Sequence, residues 1–229
     1  QKRLWVLHHM EECPIAYNMP GAFMLEGKLD KQAFQKSFED LIQRHEILRT
    51  SFITVEGQPR QKVLNKVEFH IEEIDLRVDK ETIPENGLLK QHAEQEAQTP
   101  FDLGKAPLLR VKLLHISETR YLLLSTIHHI IADGWSLDVL AGELSSLYKS
   151  HAFNEHNHLE TLPLQYKDYT AWHNELLESE GIRADREYWR NKLSGEIPVL
   201  DIPTDYTRPP VQTYQGSIHL FQISEALTE

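Results

Sequence analysis

His128-His129-Ile130-Ile131-Ala132-Asp133-Gly134-Trp135-Ser136 decides how this chain is read, because it joins the end of an apolar strand pattern to the start of a helical one. Upstream, Tyr121 to Ile127 is a short Leu-rich run, and Leu108 to Ile116 sets Leu109, Val111 and Leu113 against Arg110 and Lys112. Ser117-Glu118-Thr119-Arg120 closes the two runs into a hairpin. Downstream, Ser136 reads as a helix N-cap with Asp138 in the first turn, and Leu137, Leu140, Leu144, Leu147 and Tyr148 recur at helical spacing. Adjacent strand residues point to opposite faces, so His128 and His129 cannot both face one pocket if the strand runs through them. One imidazole is expected to be functional and the other structural. The chain carries its own control: His8-His9 is followed by Met10-Glu11-Glu12 with no Asp-Gly, and reads as structural or solvated.

Working outward, the pattern predicts an amphipathic N-terminal helix, a strand over Ala22 to Glu26, and a helix capped by Asp30 with Phe34, Phe38, Leu41 and Ile42 on one face. Arg49 to Val55 reads as a strand, Glu56-Gly57 as a turn into Gln61 to Leu64, and Leu88 to Gln98 as a helix ending before Pro100. Asn154 to Pro163 is a polar connection, Trp172 to Gly195 is helical with a break near Gly181, and Ile197 to Pro210 is an extended Pro-rich segment. The expectation is an α/β sandwich, a mixed sheet flanked by helices, over residues 1–175, followed over 176–229 by a connector and the beginning of a second lobe.

The 229 residues, 40% hydrophobic and 26% charged, suit a globular protein. A formal charge of −11, with no basic cluster flanked by aromatics, argues against a nucleic-acid surface. Cys13 is the only cysteine, so no disulfide or thiolate metal site forms within the chain, and a reducing, cytoplasmic compartment is expected. No apolar run approaches the length of a membrane span. Both ends read as cuts. The start at Gln1 has neither a signal peptide nor an initiator methionine. At the other end, a strand-like run over Ile218, Leu220 and Gln222 leads to Ser224 as the cap of a helix that stops at Glu229, too short to be stable alone.

The His-His-x-x-x-Asp-Gly motif at His128 to Gly134 resembles the signature of acyltransferases similar to chloramphenicol acetyltransferase, and within them the condensation domains of nonribosomal peptide synthetases. Further blocks follow in the family's order: Arg3-Leu4-Trp5, Arg44 through Arg49 to Phe52, Tyr166-Lys167-Asp168-Tyr169-Thr170-Ala171-Trp172, and Leu200 to Pro209. The resemblance implies amide formation between an aminoacyl or peptidyl thioester donor and an aminoacyl acceptor. Each arrives on the phosphopantetheine arm of a carrier protein, beside an adenylation domain, in a tunnel between two lobes of which the second is missing here. No metal and no cofactor of its own are implied.

His129 aligns with the family's catalytic histidine, as base or as a hydrogen-bonding anchor for the nucleophile. An imidazole whose ordinary pKa is near 6.5 suits either task. The same resemblance assigns His128 to folding and pairs Asp133 with Arg49 in a structural ion pair. Gly134 reads as permitting a turn or close substrate approach. Trp135 and Ser136 read as packing and capping residues at the edge of a substrate channel, and Tyr166, Asp168, Tyr169 and Trp172 as packing against the connector. Three alternatives stay open: a metal hydrolase using His129 and Asp133, an epimerisation domain of the same fold, and a noncatalytic carrier-binding lobe. A lone lobe is also expected to expose apolar surface and self-associate.

Overall fold

The computed structural model describes residues 1–10, 15–77, 86–207, 210 and 221–227. Cys13, Arg208, Pro209 and the expected strand residues Ile218 and Leu220 lie outside them. The chain divides into two units, Gln1–Ser194 and Gly195–Glu229.

The first unit is organised by the hairpin that precedes the His-His motif. Strands β5 (Leu109–Ser117) and β6 (Arg120–His128) are antiparallel, with Leu113 opposite Leu123 and Leu114 opposite Leu122. Strand β1 (Asn18–Glu26) pairs antiparallel with β6, and β4 (Glu72–Asp75) pairs parallel with β5, giving the mixed order β1-β6-β5-β4. The Leu-rich hairpin carries buried apolar residues on both faces because the sheet is covered on both sides. Val111, Leu113, Leu123 and Ile127 meet Phe34, Phe38, Leu41 and Ile42 of α2 (Lys31–Arg44), with Leu147 of α4 (Gly134–Phe153). Leu114, Ile116, Leu122 and Leu124 face the other way, toward Leu89 and Ala93 of α3 (Asn86–Ala97). On that side Glu96, whose side chain is 3% exposed, holds Arg110 at 2.7 Å and Lys112 at 3.3 Å, so the cations alternating along β5 are paired rather than solvated.

Asp30 caps α2 by accepting the Ala33 N–H at 2.9 Å. A 3-10 turn over Glu46–Arg49 leads into a separate two-stranded ribbon of β2 (Thr50–Val55) and β3 (Gln58–Val63). The N-terminal helix α1 (Lys2–Met10) contributes no fully buried residue. Strand β4 has no counterpart in the pattern reading. It is a four-residue, mostly exposed edge whose one apolar residue, Ile74, joins the α3-side cluster, too little for a period-2 signal. The stretch expected to be helical from Trp172 begins earlier, as α5 (Tyr166–Glu178). A 3-10 turn at Glu180–Ile182 precedes α6 (Arg183–Lys192). In the second unit, residues 197–207 form no helix or strand, and the helix expected after Ser224 is a single 3-10 turn, Glu225–Leu227. No helix among the described residues is long and apolar enough to cross a membrane.

Candidate active site

The two motif histidines part company where β6 ends. His128 is the last strand residue, 0% exposed, with its backbone N–H donating to the Leu108 carbonyl at 3.0 Å. Its Nδ1 accepts the Ile130 N–H at 3.0 Å, which leaves the proton of the neutral ring on Nε2. That Nε2 has no hydrogen-bond partner among the described residues. The ring of His8 lies edge-on at 5.4 Å and that of Phe101 edge-on at 6.0 Å. Burial, reinforced by repulsion from His8 and His129, pushes the His128 imidazole down to about 4. His128 is therefore a neutral ring at neutral pH, fully enclosed in the lobe. His8 is its packing partner, a contact that the control comparison of the two His pairs did not anticipate.

His129 belongs to the turn and is exposed. Its backbone N–H is anchored on the Tyr17 carbonyl at 2.9 Å, and its Nδ1 lies 2.8 Å from the Ala132 carbonyl oxygen. A carbonyl only accepts, so Nδ1 carries the proton and Nε2 keeps a free lone pair. The ring lines an open pocket of about 440 Å³, with walls including Leu4, Ile47, Ile131 and Leu140. Asp133, Trp135 and Ser136 also line it, together with Gln1, His45 and Tyr166, of which the sequence assigns Tyr166 to packing and gives Gln1 and His45 no place in a site. His45 lies inside the Arg44 to Phe52 block, so only its side-chain direction was hidden.

Asp133 is not paired with Arg49. It is the exposed N-cap of α4, its Oδ1 accepting the Ser136 N–H at 2.9 Å and the Ser136 hydroxyl at 2.6 Å, and these hydrogen bonds hold the carboxyl below the usual range. The Arg49 guanidinium donates to the Leu64 carbonyl and lies 3.5 Å from Glu46. The physical reason is local: a capping box satisfies the carboxylate within three residues, without the desolvation that a buried pair demands. The cap is accordingly Asp133 rather than Ser136, which sits at the third helical position and closes the box by accepting the Asp133 N–H at 3.3 Å. Asp133→Ala is expected to cost about 1 kcal/mol, the value of a helix cap, rather than the ~3–5 kcal/mol of a broken buried pair. Urea unfolding of the variant distinguishes the two.

Two further expectations change. Gly134 is absent from the positive-φ residues, and a Cβ added to it would meet nothing within 4 Å, so the backbone does not require glycine there. Gly134→Ala is expected to leave stability unchanged or raise it by up to about 1 kcal/mol in thermal unfolding. Trp135 is 81% exposed at the edge of the pocket rather than packed in the core, and Tyr169 and Trp172 are 46% and 56% exposed on α5. The start of α5 is nevertheless fixed. The Gln165 side-chain amide donates to the Arg44 carbonyl at 3.0 Å and its oxygen accepts the Glu46 N–H at 3.0 Å, which brings Tyr166 to the pocket rim. Among the described residues no three His, Cys, Asp or Glu side chains converge as metal ligands.

The family model for the condensation domain matches residues 1–229. Gramicidin S synthase 2 of Aneurinibacillus migulanus is 39% identical over 229 residues, all of this chain and 5% of that protein. Tyrocidine synthase 3 of Brevibacillus parabrevis is 40% identical over 229 residues, all of this chain and 3% of that protein. The chain thus spans a small fraction of the relatives it matches. Among solved structures, the X-domain in its complex with OxyB from teicoplanin biosynthesis is 27% identical with a TM-score of 0.79, over 90% of this chain and 45% of that one. The starter condensation domain of the rhizomide synthetase RzmA shares the fold at 18% identity and a TM-score of 0.75, over 85% of this chain and 46% of that one. With the whole length matched by one family model, and with relatives at about two-fifths identity along it, the chain belongs to the condensation-domain family.

Proposed function

We propose that this chain supplies the histidine-bearing part of a domain that forms amide bonds in nonribosomal peptide synthesis. The donor is an aminoacyl or peptidyl thioester and the acceptor an aminoacyl amine, each delivered on the phosphopantetheine of a carrier protein, with an adenylation domain as neighbour and the cytoplasm as setting. Residues 1–175 act as the first lobe, residues 176–229 begin the passage to a second, and the reaction proceeds in the seam the two form. The acceptor nitrogen attacks the thioester carbon. A C–N bond forms, the C–S bond breaks, the thiolate leaves on the donor arm, and the proton lost by nitrogen ends on that sulfur.

One observation carries the reading: the Ala132 carbonyl fixes the His129 tautomer so that Nε2, the acceptor nitrogen, is the one left free in a mostly apolar pocket. That nitrogen can take the proton from the attacking amine, or hold the amine by a hydrogen bond. Asp133 is engaged with Ser136 and serves the turn rather than the imidazole. The test uses the complete synthetase that contains this chain, with both carriers loaded. Intact mass of the downstream carrier is expected to rise by the donor acyl group. An unchanged mass with an inverted donor α-carbon points to epimerisation, and an unchanged mass with unchanged chirality to a noncatalytic carrier-binding role.

A further inference from the structure

The pocket holds a second imidazole, and its surroundings fix it as firmly as those of His129. His45 lies at the C-terminal end of α2, its backbone N–H donating to the Leu41 carbonyl at 3.1 Å. Its Nε2 is 2.5 Å from Oε2 of Glu143 on α4, and the same oxygen accepts Nε of Arg44 at 3.1 Å. The side chains of His45 and Glu143 are only 16% and 13% exposed. A carboxylate only accepts, so Nε2 carries the proton, and the neutral ring keeps its lone pair on Nδ1. Nδ1 makes no hydrogen bond among the described residues, nor is it one of the buried nitrogens left without a partner. His45 is among the pocket's lining residues and Glu143 is not.

His129 and His45 thus line one pocket, and in their neutral forms the nitrogens left without a protein partner among the described residues are Nε2 of His129 and Nδ1 of His45. We infer that His45 is a second substrate-contacting group, accepting an N–H hydrogen bond from the acceptor substrate, and that Glu143 is the positioning residue that sets its tautomer. This rests on the amide-forming reading above. A reacting amine has one lone pair to aim and more than one N–H to hold, and a second acceptor restricts its rotation toward the thioester. The alternative role is a clamp between α2 and α4, which the Arg44 contact alone would also provide.

The test compares His45→Leu with His45→Gln in the complete synthetase, the glutamine retaining both a donor for Glu143 and an acceptor for the pocket. The leucine variant is expected to raise the apparent KM for the acceptor-loaded carrier about tenfold, the size of one lost hydrogen bond, with the donor-carrier KM unchanged. The glutamine variant should stay within about threefold of wild type, because it restores the acceptor. Nitrogen-15 NMR of the wild-type ring should show the proton on Nε2, and Glu143→Gln should mix the tautomers. Leucine and glutamine variants that weaken donor and acceptor alike, or a leucine variant with wild-type acceptor KM, overturn the inference. No product from the folded wild type overturns the amide-forming reading instead.

Discussion

Between pH 6.5 and pH 4 the first unit is expected to lose on the order of 3 kcal/mol of stability, and replacing His128 is expected to flatten that slope. His128 is fully enclosed at the end of β6, with its Nε2 unpartnered among the described residues, and its imidazole is depressed to about 4 from an ordinary 6.5. Between those values the unfolded chain binds a proton that the folded chain refuses, so stability rises with pH across the window. The contribution is complete above 6.5 and lost as the pH falls through 4. The neighbouring His8 is depressed as well, by burial first and then by His9, and it steepens the same limb. His128→Gln removes the titrating group at the expense of ring packing against His8 and Phe101. Urea unfolding at steps from pH 7 to 4 should therefore show a variant less stable at pH 7 but with a visibly shallower decline. Parallel curves for wild type and variant contradict the assignment of His128 as a buried neutral ring.

The hairpin, the Asp30-capped helix and the strand-to-helix turn were legible in the sequence because each has a local cause. Leu109, Val111 and Leu113 alternate, Phe34, Phe38, Leu41 and Ile42 share a face, and an Asp-Gly pair follows two histidines. The separation of His128 from His129 followed from strand geometry alone, and the pairing Asn18↔His128 with His129 beyond the ladder gives it its physical form. What escaped notice depends on direction or on tertiary pairing. The polar Glu72–Asp75 strand takes its register from its parallel neighbour β5. The cap is Asp133 rather than Ser136 although both residues belong to one reciprocal box, and composition does not say which side chain accepts the first free helix N–H. The family resemblance implied Arg49 and Asp133 as partners, yet each is satisfied within its own neighbourhood, by Leu64 and Glu46 in one case and Ser136 in the other. The place of His45 depends on the fold for the same reason, since only the fold brings it to the lining of the His129 pocket and its Nε2 to Glu143.

Removing the His129 imidazole is expected to slow amide formation by about 10²–10⁴-fold while leaving the fold intact. The magnitude follows from dividing the work. Bringing two tethered reactants together in the correct orientation is worth effective molarities of about 10⁵–10⁸ M, and that share depends on the carriers and the pocket walls rather than on one ring. A thioester is already activated, so the base supplies the smaller part, and a residual rate survives in His129→Ala. Stability should change little, because His129 is exposed and, among the described residues, its ring bonds only the Ala132 carbonyl at 2.8 Å.

The decisive measurement is quenched single-turnover transfer between two loaded carriers, with intact mass as the readout. The complete domain in wild-type and His129→Ala forms is compared at matched folded fraction. A loss of about 10²–10⁴ in the variant, with product still accumulating slowly, is the predicted result. Equal rates in the two proteins would contradict the claim that the free Nε2 of His129 assists the attack.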